Sequence, residues 1–522
     1  MYSIIKRAQS LLPPIEHIWM RRIVLILFLL SYLTSLPKMW ELAKTVDSNA
    51  HGTVPGNWDD WNYQVLAINL LRGNGFADRQ FSSWESYHLS NSVSGYPFWD
   101  DYSFYRAPGF PLILSASYTL FGDQTLTARR LLFIMAWITT LLLLLIGGNV
   151  ADWTGVIAGG IAGQLYLKSS NEIVGVEGIL NGRLVSEVAA TFWMILFAYL
   201  FTQFLRKNRS IYFYLSAVSL VALIFTRAYF LMVLPLFCIY LYFNRCNLKR
   251  IAIFAGITIL PVVIWSSYAS LTAKQLVILT TQGQYDFPRF NNQDVITGFG
   301  PERINQGGWQ PGFSYNEKGE IIVTNQYSPK RGENGWIKGL KFWTANPKKL
   351  PKLFYVKMRA GLWYYDGRLY LIGIGFLLMS IGIRKGKPLL QGLTPQTTLA
   401  LQISLVTLLS IAGNLLGFGQ ILAIWLAIAL IGLVFPFGNA DTIDFQRPTW
   451  FLVFLAAYLV VVLMYGGNPR FHSALDPFVI FISLSGLLLL LYRLIKTNIL
   501  LAALYLLINS TPFTDVIDTL SK

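Results

Sequence analysis

An all-α polytopic membrane protein is the fold class this sequence predicts, and three observations predict it. Hydrophobic residues fill 54% of 522 positions and charged residues only 13%, against about 25% charged in a soluble domain. The apolar residues fall in blocks near the length of a bilayer span, about 20 residues of helix. The 42 lysines and arginines outnumber the 26 acids and gather in short stretches between those blocks, which is the positive-inside signature of membrane helices.

In chain order the apolar blocks are 23–40, 108–122, 129–147, 153–168, 187–205, 211–226, 228–244, 250–268, 368–384, 398–414, 418–437, 449–465 and 474–492, with a weak last one at 498–509. Lys6, Arg7, Arg21 and Arg22 precede the first, and no small-x-small cleavage site follows it. It is read as a retained span, not a signal peptide. Cys238 lies inside a block and Cys246 beside Arg245, so neither a disulfide framework nor a metal-type spacing is present. The net charge of +16 takes anionic lipid headgroups as its partner. No nucleic acid is expected, because no basic stripe with interleaved aromatics lies outside the spans.

The block 108–122, "PGFPLILSASYTLFG", is short and opens with two prolines. Loop charge decides its fate. If it does not cross and the N-terminus is inside, the clusters at Arg206, Lys207 and Arg209, at Arg245 to Arg250, at Arg384 to Lys387, and at Arg493 with Lys496 all face the cytoplasm. If it crosses, all of them face outward, against the positive-inside rule. The block is therefore expected along the outer face as an interfacial element, leaving about 13 spans. Three parts follow: an N-terminal membrane region 1–268 with a first outer loop at 41–127, an outer region 269–367, and C-terminal spans 368–522.

Ionisable residues beside apolar blocks are costly and mark function by default. Folding the topology gathers them at the outer face. The first loop holds Asp59, Asp60, Asp100, Asp101 and Arg106. Next come Glu172, Glu177 and Glu187, then Arg227 between two blocks, and Arg470 with His472 in "GGNPRFH". Carboxylates suit activation of a hydroxyl, and arginines suit a phosphate. The bland alternatives are a helix N-cap for Asp59 or Asp60, a snorkelling Arg106, and a dipole-favoured acid for Glu187 at a helix start. The second Trp-Asp-Asp, at 99–101, is read as loop surface or acceptor contact. In 346–365, "NPKKLPKLFYVKMRAGLWYY", lysines alternate with apolar residues. That pattern predicts an interfacial helix on anionic lipid, with a basic lip for a lipid phosphate as its rival.

The run "DDWNYQVLAINLLRGNGF", 59–76, resembles the first-loop motif of the polyprenyl-phosphate-sugar-dependent GT-C glycosyltransferases, the superfamily of protein O-mannosyltransferases and the lipid A aminoarabinose transferase. The matching positions are Asp59-Asp60, Tyr63, Ala67, Leu71, Gly73, Gly75 and Phe76; Asp60 departs from the usual Glu. "YRAPGFPLILSASYTLFG", "RLVSEVAATFWMILFAYLF", "FTRAYFLMVLPL" and "NPRFHSALDPF" resemble later stretches of the same family, while 269–367 matches no part of it.

The resemblance implies a GT-C bundle in a bacterial inner membrane that works at the periplasmic face. Such an enzyme moves a sugar, with inversion, from a polyprenyl monophosphate to an acceptor lipid, glycan or protein. It implies Asp59 as general base, and Asp60 and Glu187 orienting the acceptor or holding a divalent cation, Mg or Mn. Tyr63, Arg106, Arg227, Arg470 and His472 would bind substrate, with Trp58 or Trp61 available to stack on a sugar. The rivals are a flippase of lipid-linked glycans, which calls for repeats and midplane charges, and a polymerase or ligase using lipid pyrophosphate.

Overall fold

The computed structural model describes residues 18–45, 58–76, 104–122, 125–150, 152–167, 184, 186–297, 313–315, 321–323, 333–362, 449–465 and 474–482, with 484, 485 and 488. It shows a helical membrane protein. Among the described residues three helices are long and apolar enough to cross a membrane: Leu126–Val150, Ser186–Lys207 and Leu248–Ala273. The blocks 368–384, 398–414, 418–437 and 498–509 lie outside the described residues.

The first half is α1 (Ile18–Thr45), α2 (Trp58–Leu71), α3 (Gly109–Phe121), α4 (Thr125–Val150), α5 (Asp152–Leu167), α6 (Ser186–Lys207) and α7 (Ser210–Thr226). The sequence of α5 places Gly155, Gly159 and Gly163 four residues apart, on one face of a helix. A Cβ on Gly159 would stand 2.4 Å from the Leu143 carbonyl oxygen of α4, and one on Gly163 would stand 2.3 Å from the Tyr32 hydroxyl of α1. Small residues let membrane helices approach backbone to backbone, where packing replaces the hydrophobic effect. Tyr32 seals the seam by donating to the Gly160 carbonyl at 2.9 Å.

These contacts fix two ends of the bundle. At one, Arg206 donates to Asn149, and Arg21 lies in the fields of Asp152 and Arg206. This basic end carries the start of α1 and the ends of α4 and α6. At the opposite end a Cβ on Gly109 would meet the Phe225 carbonyl carbon of α7 at 2.6 Å, and Thr127 of α4 donates to the Gly122 carbonyl at 3.1 Å. Both tips of α3 meet this second end, so α3 lies across it and does not traverse the bundle.

The expected single span at 228–244 divides into a 3₁₀ turn, Ala228–Met232, and α8 (Val233–Phe243). Arg227 is extended (φ −142°, ψ 101°), and Pro235 falls in the first turn of the regular helix that starts at 233, where its missing N–H costs no internal hydrogen bond. α9 (Leu248–Ala273) follows. It buries one stripe, Phe254, Thr258, Val262 and Ala269, and exposes Leu260, Val263 and Ile264 on the other side. α14 (Leu452–Tyr465) and the 3₁₀ turn Thr449–Phe451 before it add Phe454 and Trp450 to a ring cluster with Phe197 and Phe201 of α6.

Between α9 and α14 come α10 (Gln282–Phe290), α11 (Gln293–Thr297), α12 (Gly335–Ala345) and α13 (Leu350–Leu362). A small antiparallel pair, β1 (Phe313–Tyr315) with β2 (Ile321–Val323), joins Phe313 to Val323. It departs from the all-helical expectation: β-branched and aromatic residues flank a polar turn sequence there. The stretch expected to lie on lipid contains a helix, α13. Lys348, Lys349 and Lys352 are exposed, but Lys357 is fully buried and takes no part in a lipid-facing surface.

Candidate functional site

Four of the sequence-predicted residues come together where α2, α3, α6 and α7 meet. α2 holds Tyr63 and Asn62. Its stop is built into "LLRGNGF": Gly73 is left-handed (φ 76°), and its N–H bonds the Leu70 carbonyl while the Asn74 N–H bonds that of Asn69. That is the Schellman closure, which glycine serves best. Phe76 then anchors the exit edge-on against Trp265 of α9 at 5.0 Å. The later half of the first-loop motif is thus structural, with Ala67 fully buried in the core.

Tyr63 shares a hydrogen bond of 3.2 Å with Ser186 Oγ at the start of α6, and Phe110 of α3 meets its ring edge-on at 4.9 Å. Arg106, just before α3, stacks on Tyr63 at 5.2 Å and on Tyr105 at 4.9 Å. Its Nε donates to Asn62 Oδ1 at 3.3 Å. Aromatic contacts and a fixed Nε orient the guanidinium plane, as recognition of an oxyanion requires.

Glu187 follows Ser186 and is 1% exposed; it pairs directly with Arg227, which is 12% exposed. The break after α7 is what brings Arg227 here: its N–H still closes α7 on Leu223 at 2.8 Å, while its extended backbone turns the chain. The Glu187 carboxylate, a candidate metal ligand, thus has a guanidinium as its partner. Among the described residues no group of three His, Cys, Asp or Glu gathers to hold a metal.

Two participants were missed. Tyr229, half-buried just beyond Arg227, lies within the fields of Arg227, Glu187, Tyr63 and Asp476. Asp476, which opens the helix at 476–482, interacts with Tyr229 and with Tyr458 of α14. The signal was available, since Asp476 is an acid entering an apolar block in the quoted "NPRFHSALDPF".

Asp59 and Asp60 belong to the first turn of α2, with Asp59 one turn before Tyr63. Their side chains lie outside the described part, as do those of Trp58 and Trp61. Arg470, His472, Asp100, Asp101, Glu172 and Glu177 lie outside the described residues.

The arrangement combines an oriented guanidinium, a buried acid–guanidinium pair and two phenols at one end of an apolar bundle. It is a polar end-site in a helical membrane protein. No family model, curated protein or solved structure matches the chain.

Proposed function

We propose that this chain is a GT-C type glycosyltransferase that moves a sugar from a polyprenyl monophosphate to an acceptor hydroxyl, with inversion. The observation that carries the reading is Tyr63, on the helix that begins with Asp59 and Asp60: Arg106 stacks on its ring, and its hydroxyl bonds Ser186, the neighbour of the Glu187 that pairs with Arg227. Asp59 takes the acceptor proton as the oxygen attacks the anomeric carbon. The bond from that carbon to the phosphate oxygen breaks on the opposite side, and its electron pair leaves with polyprenyl phosphate. The added charge is met by Arg106 and Arg227, cations fixed before the reaction begins. Glu187 acts through Arg227 as a positioning residue, while Asp60 orients the acceptor. Arg470 and His472 complete the donor site. The prenyl tail stays in lipid.

The basic end, with Arg21 and Arg206, supports a cytoplasmic assignment for that side and a periplasmic one for the site. Release of free polyprenyl phosphate from a panel of polyprenyl-phosphate sugars, read by mass spectrometry with acceptor extract present, tests the reading. Wild-type membranes release it, and Asp59→Asn membranes with equal expression release about 10²-fold less or below. Equal release by both removes Asp59 as the base. No release by wild type across the whole panel overturns the enzyme in favour of a transporter.

A further inference from the structure

Lys357 of α13 is fully buried, and its three N–H groups have three oxygens to meet. Nζ donates to Asn291 Oδ1 at 2.7 Å, to the Leu463 carbonyl at 2.7 Å and to the Met464 carbonyl at 3.0 Å. The two carbonyls end α14, where helix oxygens lack internal partners and the dipole is negative. Asn291 is used as completely. Its Oδ1 also accepts from Trp343 Nε1 at 2.7 Å, and its Nδ2 donates to the Phe287 and Met464 carbonyls at 2.6 and 2.8 Å. An amide has two donors and two acceptor positions, so all four are filled.

Asn291 ends α10, and the other end of α10 touches the site. The Thr281 N–H donates to the Phe104 carbonyl at 2.8 Å, and Tyr285 packs on Tyr105 at 6.4 Å. Tyr105 is the ring on which Arg106 stacks. We propose that Lys357 is a positioning residue: it fastens Asn291 to the end of α14, so that α10 holds residues 104–106, and with them Arg106, in place. A lipid-facing lysine or a basic lip would leave Lys357 exposed and α10 without this anchor. The fastening is a matter of geometry alone; its effect on donor binding rests on the phosphate role proposed for Arg106.

Amide hydrogen exchange of the full-length protein in detergent, read by mass spectrometry, tests it. In Lys357→Met the segment 281–291 exchanges about tenfold faster or more, because hydrogen bonds to a charged donor are lost, while α4 and α6 keep their rates. Unchanged rates in 281–291, or faster exchange spread evenly through α4 and α6, overturn the proposal. Should Lys357→Met not fold, wild-type protein answers: residues 281–291 and 350–357 must open together, with one denaturant dependence, and independent opening overturns it. In donor kinetics Lys357→Met lowers kcat/KM about tenfold, because Arg106 meets charge that grows in the transition state. An unchanged kcat/KM overturns the link to Arg106. Absence of turnover in the wild type tells against the glycosyltransferase reading and leaves the exchange result standing.

Discussion

The α4–α5 pair and the α10–α13 segment are held by different physics. In the pair, glycines bring one backbone against the next: a Cβ on Gly147 would stand 2.0 Å from the Gly155 carbonyl oxygen, matching the close approach at Gly159. Side-chain polarity contributes little there. In α10–α13 the joints are polar, built from Asn291, Trp343 and Lys357. The first kind of joint works where no water competes and dispersion between close backbones is the available attraction. The second works where polar groups must be satisfied one by one. A bundle of the first kind gives the site a rigid floor, and a segment of the second kind gives it a wall whose position depends on a few atoms.

The sharpest way to break that comparison is to fill the seam. Gly159→Leu puts side-chain atoms where a backbone oxygen already stands, and overpacking costs about 1–3 kcal/mol, more when the obstacle cannot move. Loss of the folded, monodisperse protein in detergent is the expected outcome. Gly256→Leu on α9, where a Cβ meets nothing within 4 Å, serves as the matched control and leaves melting unchanged. Equal damage from both would mean that the seam does not join the helices.

Next in size is the Glu187–Arg227 ion pair of the site. Glu187→Gln leaves the largely buried Arg227 without its counter-charge, a loss of about 3–5 kcal/mol where one partner of a buried pair is removed. Adding Arg227→Met removes the uncompensated cation and returns most of the thermal stability, because a buried pair is often replaceable by apolar groups. Polyprenyl-phosphate release does not return if Arg227 meets the phosphate as proposed. Recovery of release in the double variant would deny Arg227 its role.

The same contrast explains what could be read from the sequence. Apolar runs marked α4, α6, α7 and α9 within a few residues of their observed ends, because a helix in lipid announces itself by composition. Arg106, Glu187 and Arg227 were legible as charges beside such runs. The pairing of Glu187 with Arg227 was not, since nothing in either stretch specifies its partner. The Gly155, Gly159 and Gly163 spacing stood in plain view as a small-residue face. Lys357 defeats composition altogether: among neighbouring lysines that are exposed it is the one turned inward, and only Asn291, 66 residues away, and the end of α14 give the reason. Asp476 was hidden by the habit of reading 474–492 as span.

The smallest effect separates Lys357 from those neighbours by pH. Burial without an anionic partner holds its ammonium well below the usual lysine range. The neighbouring elements carry the Asp286–Arg289 pair on α10, Lys338 and Lys341 on α12, Lys348 and Lys349 in the turn, Lys352 and Tyr355 on α13, and Tyr465 on α14. None of them is a carboxylate bonded to Nζ. The folded chain therefore binds this proton less tightly than the unfolded chain does. Between the lowered folded value and the unfolded value of about 10.4, the unfolded state carries the extra proton, and stability rises with pH by up to about 1.4 kcal/mol per pH unit. Below the folded value the contribution is flat. Lys357→Met lacks it, so its deficit in melting temperature against wild type widens as pH rises toward 10. Tyrosine ionisation, common to both proteins, cancels in that difference. Lys352→Met, which alters an exposed lysine on the same helix, keeps a constant and near-zero offset, as surface substitutions do. A deficit for Lys357→Met that narrows with pH would mean that the three oxygens stabilise the ammonium more than burial disfavours it.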